Sequence, residues 1–483
     1  FYLRIEDTDE KRKVDGAVET IINVLRYFDI EFDEGAGFDD TDPRNAYGPY
    51  FQRQRVEIYH TYAKSLVERG LAYPCFCTEE ELDKVRAKQE EDKVLTGYYG
   101  EYATCRNLSY EEVEANIKAG KPYVLRLRSQ GSPDKEITFV DAIKGEIKLP
   151  ENIHDIVLLK KDGIPTYHFA HAIDDHLMRT TTVVRGGEWL ASAPIHYELF
   201  HLLGFKMPAY AHTAHLMKFD EETGGKRKLS KRKDPELSLD YYRKDGYHPY
   251  TMKVYLLTLL NSNFEEWHEK FPDKDINEFP FSVEKMNQSG ALFDKDKLHN
   301  ICKNELSKLS EEELYDFLYD WAKENEPENV EKWFGDREKM LQILRLYMGV
   351  GAKRRRKDLM YAKQIFELIS YFFDGESAEE MDEFKLDEDM VSKILKSYLA
   401  KYDHNDDNSV WFNKLKEIAD EHGFASDMKA YKANPENFKG NVSDIAEAVR
   451  IAVTGRANTP DLWTIVHIMG EEQMTERIKK HIK

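Results

Sequence analysis

Long apolar runs are missing from this chain. Val254 to Leu260 is among the longest and falls far short of the roughly 20 residues that a membrane-spanning helix needs, so no membrane association is expected. A basic-then-apolar leader is lacking too, which leaves no sign of export. Cysteine is scarce: Cys75, Cys77, Cys105 and Cys302 are the 4 in 483 residues. That supply excludes a disulfide scaffold and points to a reducing, cytoplasmic setting. An excess of positive charge is also absent. Lys and Arg number 70 against 90 Asp and Glu, a formal balance of -20, which by itself disfavours nucleic acid because phosphate affinity comes from local cations. Two local runs work against that exclusion. Lys353, Arg354, Arg355, Arg356 and Lys357 are consecutive, and Lys226 to Lys233 holds six cations in eight positions. Taken alone, such runs are ordinarily solvated faces.

What is present is globular: 41% hydrophobic and 33% charged residues, without repeats or low-complexity tracts, over a length that suggests about three domains. Phe1 to Ile5 reads as a strand running into the acidic stretch Glu6-Asp7-Thr8-Asp9. Val14, Ala17, Ile21, Leu25 and Phe28 then recur at helical spacing, and Ile58 to Arg69 is a second helix stopped by Gly70. From Leu71 to about Asn152 the character changes to a Cys pair, a charged helix and a short strand at Tyr123 to Arg128, as in an insertion. Asp155 to Lys160 and Ile164 to Phe169 flank Asp162-Gly163, which predicts a β-hairpin. Thr182 to Arg185 is a strand, and Ser192 caps a helix ending at Gly204 with Pro194 in its first turn. Strands alternating with helices predict a parallel α/β sheet carrying the insertion. Beyond about residue 240 the strand signals fade. Ser310 with Glu313 is a capping box opening a helix with Leu314, Phe317, Leu318 and Trp321 on one face. Capped helices are predicted over Ser443 to Gly455 and Thr459 to Gly470, with Pro460 at the first helical position of the latter.

Three clusters can carry chemistry. Arg4 to Asp9 lies at the C-terminal end of a strand, the edge at which open α/β sheets bind ligands. Glu6 there can accept an ammonium group, although for the segment in isolation an acidic loop capping the next helix is the favoured reading. The second cluster is Pro165 to His171, then Asp174-Asp175-His176, then Arg185 to Trp189. Its histidines and aspartates invite a metal, but strand alternation would turn His168 away from Tyr167, Phe169 and His171. A polar and aromatic pocket fits better, with Arg185 forked onto a carboxylate, Tyr167 donating a hydrogen bond and Trp189 as a wall. The third is Lys226 to Asp234 behind Gly224-Gly225, a loop from which Lys228 and Lys231 can reach phosphates in a transition state. An exposed basic loop is the alternative there.

In this order and spacing the clusters resemble the class I aminoacyl-tRNA synthetases, and specifically the bacterial glutamyl-tRNA synthetases. Lys228-Leu229-Ser230-Lys231-Arg232 is similar to the family's KMSKS signature. Arg4 to Asp9, Thr166-Tyr167-His168, Asp174 to Leu177 and Glu188 to His196 match other signatures. Gly290 to Leu298 resembles the stem-contact region, and Ala448 to Gly455 with Thr459-Pro460 resembles the last anticodon-domain helices. The resemblance spans essentially the whole chain. It implies a Rossmann-like α/β catalytic domain, N-terminally truncated, with an α+β insertion, followed by an all-α anticodon-binding region. The implied boundaries are 1–60 with 155–205 for the catalytic domain, 61–154 for the acceptor-binding insertion, and 206–300 for the KMSKS loop and stem contact. Two anticodon-binding subdomains follow, at 301–385 and 386–483.

The same resemblance implies L-glutamate, ATP with Mg²⁺, and tRNA(Glu) as substrates and partners of a monomer. It assigns Glu6 to the amino group, Arg185 to the side-chain carboxylate, and Tyr167 and His171 to the pocket lining. Glu188 and Trp189 close that pocket. Lys228, Ser230 and Lys231 go to ATP, the two lysines to catalysis, and Arg354, Arg355 and Arg356 to tRNA. His171 departs mildly from a family Asn. Cys75, Cys77 and Cys105 resemble a zinc knuckle whose fourth ligand the sequence leaves open. Members also carry several dozen residues, with the HIGH signature, ahead of the segment matching Phe1. The chain as given is therefore expected to be poorly active, and a tRNA-binding fragment is the alternative reading. Glutaminyl-tRNA synthetases share the catalytic signatures but read the anticodon with β-barrels, against the helical second half expected here.

Overall fold

The computed structural model describes residues 1–9, 15–39, 41–220, 222–230, 233–288, 290–373 and 381–483. They form two compact units: 1–240 with 254–294, and 241–253 with 295–483.

The first unit is built from helices on short sheets. β1 (Tyr2–Leu3) pairs in parallel with β2 (Glu34–Gly35), and helix α1 (Ala17–Tyr27) lies between them in sequence. Helix α2 (Val56–Glu68) buries Tyr59, Ala63 and Leu66 at four- and three-residue intervals, then stops before Gly70 at φ 68°. β3 (Ala72–Cys75), β4 (Val124–Leu127) and β7 (Val157–Leu159) form an antiparallel sheet. β5 (Glu136–Asp141) and β6 (Gly145–Pro150) are joined by a tight turn and must run antiparallel. β5 also pairs in parallel with β9 (Ala209–Thr213), whose other neighbour is the parallel strand β8 (Thr182–Gly186). The parallel sheet expected from the alternation is therefore mixed, because the 136–150 hairpin joins it. β10 (Leu216–Phe219), β11 (Lys226–Lys228) and β12 (Ala291–Leu292) make a further small mixed sheet.

The segment after Asp162-Gly163 departs from expectation. The turn forms, with Gly163 at φ 78° and Lys160 N donating to Ile164 O at 2.9 Å, but the returning arm is a single bridge, Leu159 to Pro165. Helix α5 (Tyr167–Leu177) follows where a strand was predicted. Burial decides this: Phe169 through Asp175 are seven consecutive buried residues, which a one-sided strand cannot provide. Phe169, Ala170 and Ile173 pack in one core with Tyr59 of α2 and Phe200 of α6 (Ala193–Leu203). Asp174 is buried among them. It accepts hydrogen bonds from Arg55 Nε at 2.7 Å, Tyr59 Oη at 2.8 Å and Gln52 Nε2 at 3.0 Å, tying α5 to the start of α2.

Helix α6 ends at Gly204 (φ 72°) as predicted, but Ser192 makes no side-chain cap. In the second unit the regular elements among the described residues of 295–483 are all helices, joined by turns and loops, apart from one isolated bridge between Ala425 and Asn441. The Ser310 capping box is complete: Glu313 N donates to Ser310 Oγ at 3.2 Å and Ser310 N to Glu313 Oε2 at 2.8 Å. Two other starts lie elsewhere than expected. Asn441, not Ser443, caps Val442–Thr454, and Asp461, not Thr459, caps Leu462–Met469. In both cases a side-chain oxygen two or three residues away was better placed to accept the free N–H groups. Among the described residues no helix is long and apolar enough to cross a membrane.

Candidate active site

β1, α5 and β8 surround a cavity of about 910 Å³. Glu6, Tyr167, His171 and Arg185, four of the residues singled out in the sequence, line it together with Arg4 and Asp175. Arg4 is the organising cation. Its Nη1 donates to Asp175 Oδ1 at 2.7 Å and its Nη2 to Glu6 Oε1 at 3.1 Å. Burial raises the Glu6 carboxyl above its ordinary value, with Arg4 pulling it back. Tyr167 and His171 are one helical turn apart on α5 and stack, with ring centroids 5.5 Å apart. His171 places Nδ1 3.1 Å from Asp175 Oδ2 and Nε2 3.0 Å from Tyr210 Oη. Burial brings this histidine down to about 4, against the pull of Asp175, so the imidazole is neutral near pH 7. Tyr167 is pushed up to about 12 by burial and by Glu6, while Arg185 opposes the rise. Arg185 keeps Nη2 shielded from solvent and without a partner.

Trp189 and Glu188 do not line this cavity. The Trp189 ring lies 4.4 Å from that of Tyr167 and reaches the site through it. Glu188 faces elsewhere: its Oε2 is 3.3 Å from His215 Nδ1 and 3.9 Å from Lys228 Nζ. A Cβ on Gly186 would come within 2.2 Å of that carboxylate, so glycine leaves room for Glu188 to fold back.

Lys228 closes β11, exposed, at the end of the β10–β11 hairpin. The loop after it hangs on Asp234. This buried carboxylate takes a two-pronged contact from Arg227 at 2.6 and 2.7 Å, and Ser230 N donates to it at 2.8 Å. The Arg227 contact holds Asp234 well below the usual carboxylate range. Lys231 lies outside the described residues.

Cys75, Cys77 and Cys105 converge, with all three sulfurs within 4.8 Å of one another. The Tyr98 hydroxyl lies 3.4 Å from Cys75 Sγ and 3.3 Å from Cys77 Sγ. In the second unit Arg354, Arg355 and Arg356 are exposed in the segment following Arg337–Met348. Arg354 and Arg356 line a cavity of about 670 Å³ with Arg345, Pro460, Thr464 and His467.

Residues 1–300 match the family described as tRNA synthetases class I (E and Q), catalytic domain, and residues 313–482 match an anticodon binding domain. An α/β unit with this site and a helical anticodon-binding region define a class I tRNA synthetase. Within that class the chain belongs to the E and Q family. Its relatives include the glutamate–tRNA ligase of Acetivibrio thermocellus, 54% identical over 99% of this chain and 87% of the relative. That of Clostridium perfringens strain 13 is 47% identical over 99% and 88%. The crystal structure of a glutamate tRNA ligase from Elizabethkingia meningosepticum in complex with its amino acid is 27% identical. It aligns over 100% of this chain and 92% of its own length at a TM-score of 0.74.

Sequence reasoning overlooked Tyr210, Gln52 and Arg55, which carry no motif of their own. The one available signal was that the buried aspartates beside them need donors from elsewhere in the chain.

The depressed His171 gives a pH prediction. Its folded value of about 4 lies below the unfolded value near 6.5, so the unfolded state takes up the proton first as the pH falls. Stability should therefore be lost between about pH 6.5 and 4, at up to about 1.4 kcal/mol per pH unit from this one residue. Denaturant unfolding across that range should show a shallower pH dependence in His171→Gln. An identical slope in the variant would refute the assignment.

Proposed function

We propose that this chain is a glutamate–tRNA ligase that activates L-glutamate with ATP and esterifies the terminal adenosine of tRNA(Glu). The observation that carries this reading is the pairing, in one cavity, of Glu6 with an Arg185 whose Nη2 is buried and unpartnered. A carboxylate at one end suits an ammonium group, and a guanidinium at the other suits a side-chain carboxylate. Tyr167 and His171 form the wall between them. The α-carboxylate of glutamate attacks the α-phosphorus of ATP, forming the acyl–phosphate bond and expelling pyrophosphate. A hydroxyl of the terminal adenosine then attacks the acyl carbon, the ester forms and AMP leaves. Both steps gather charge on oxygen, so they call for placed cations and not for a covalent nucleophile. Lys228 and Lys231 take that role at the phosphates, beside the backbone of Ser230, and Mg²⁺ accompanies ATP. Glu188, with Lys228 near it, links the amino-acid pocket to this loop, and Trp189 backs Tyr167. The protein works in the cytoplasm as a monomer. The segment 61–154 serves the acceptor end, 206–300 the stem, and 301–385 with 386–483 the anticodon.

The Cys trio suits zinc. Three thiols within 4.8 Å can share a tetrahedral ion as thiolates, with the fourth ligand open and the Tyr98 hydroxyl close to two of the sulfurs. The ion would brace the insertion. Metal analysis of the purified protein should find zinc, and Cys105→Ser should remove it. Protein purified free of zinc, and unable to take it up, would end this part of the reading.

Arg354, Arg355 and Arg356 meet the tRNA in the helical unit, where unstacked bases can be hydrogen-bonded. Replacing all three with Ala should weaken tRNA binding and flatten the log–log salt slope by about 2, at roughly 0.7 per phosphate contact on single strands. An unchanged slope would remove these residues from the interface.

The function itself is tested by charging purified tRNA(Glu) and tRNA(Gln) with glutamate, keeping any coding sequence that lies upstream of Phe1. Glutamylation of tRNA(Glu) is expected, and the ratio between the two tRNAs reads discrimination. Binding of tRNA without charging would favour a tRNA-binding protein instead.

A further inference from the structure

Behind Arg185 runs a line of side chains to which the family resemblance assigned no role. Asp141, at the end of β5, is buried and accepts the backbone N–H groups of Ile143 and Lys144 in the turn to β6. Its Oδ2 is also 2.6 Å from His212 Nδ1 on β9. A carboxylate only accepts here, so Nδ1 carries the proton and His212 Nε2 keeps its lone pair. Arg185 Nε donates to that lone pair at 3.0 Å. On the other edge of the guanidinium, Arg185 Nη1 lies 3.1 Å from His196 Nδ1 on α6. Arginine has no acceptor, so His196 Nδ1 must accept and its Nε2 must carry the proton. That Nε2 lies 2.9 Å from His168 Nδ1 and donates to it. Both histidines are fully buried, and burial lowers both from their ordinary value. The Tyr210 ring lies 4.5 Å from the guanidinium carbon and supports its face.

Two of the three guanidinium nitrogens are thus committed to neutral imidazoles supplied by different elements, and only Nη2 lacks a partner. We propose that His212 and His196 are positioning residues. As neutral acceptors they hold the Arg185 fork in one orientation, so that Nη2 is offered to the side-chain carboxylate of the amino-acid substrate and not to its amide counterpart. The proposal rests on the reading of Arg185 as the group that binds that carboxylate. A fork pinned on two sides cannot turn. An amide can therefore meet Nη2 only with its one uncharged oxygen, its nitrogen being a donor against a donor, whereas a carboxylate brings a full charge and can accept with either oxygen. Pinning also removes the ordering cost that a long side chain would otherwise incur when the substrate binds.

The test is aminoacylation kinetics on folded variants, checked by circular dichroism, at varied glutamate and at varied ATP. His212→Leu and His196→Leu should each raise the KM for glutamate about tenfold, the loss typical of one charge-assisted hydrogen bond. The KM for ATP should stay within about twofold, and the preference for glutamate over glutamine should fall. His212→Gln, whose amide oxygen can accept from Arg185 Nε, should recover most of the loss, which a merely structural role for the ring would not allow. Arg185→Ala separates the two levels of the argument. If it raises the KM for glutamate while the folded histidine variants do not, or if His212→Gln is no better than His212→Leu, the positioning role is wrong. If Arg185→Ala itself leaves the KM for glutamate unchanged, the pocket reading falls and the proposal with it.

Discussion

Two adjacent buried carboxylates on one helix, Asp174 and Asp175, hold the first unit together. A single helical step of about 100° turns them to different partners. Asp174 faces α2 and takes Arg55, Tyr59 and Gln52. Asp175 faces β1 and takes Arg4, with His171 beside it. Burying two charges side by side is costly, and cations and hydrogen-bond donors must offset it. Here the donors come from residues 2, 4, 52, 55 and 59, so serving the pair requires β1, α2 and α5 to meet. Burial works against the charge on Arg4, yet Asp175 and its neighbours raise its pKa and keep it a cation.

The cavity inherits its electrostatics from this arrangement. Permanent charges, Arg4 and Arg185, stand among imidazoles that burial keeps neutral, His171 down at about 4 and His196 well below its ordinary value. Neutral imidazoles can accept from arginine where imidazolium ions would repel it. The site therefore presents a fixed charge pattern near pH 7 and leaves its proton-sensitive groups to act as hydrogen-bond geometry. Such preorganised charge is what an acyl-transfer reaction without a covalent nucleophile needs.

A net charge of -20 does not by itself bar nucleic-acid recognition, because cations can be clustered locally. Arg354, Arg355 and Arg356 are exposed together, and so is Lys228 on its hairpin. In contrast, Arg227 in the same basic run is spent on Asp234 and serves the loop's shape. A count of charges cannot separate these uses.

The sequence by itself determined the order of the clusters, the turn at Asp162-Gly163, the capping box at Ser310 and the helical nature of the second half. Each depends on local spacing: a turn needs φ > 0 at one residue, and a cap needs an oxygen three residues from a free N–H. It also brought Glu6, Tyr167, His171 and Arg185 into one candidate pocket through their resemblance to a family, although the strand assumed for 164–169 was wrong. There the tertiary structure decided, since burial on all sides overrides a two-residue alternation and only packing reveals that burial. Packing likewise turned Glu188 toward Lys228 and His215, away from the cavity. The partners of the buried charges were equally invisible. His212 meets Asp141 across 71 residues and Gln52 meets Asp174 across 122, and no local rule joins positions so far apart. Only the folded chain could show which histidine accepts from Arg185, because a tautomer is set by the neighbours on both sides of the ring.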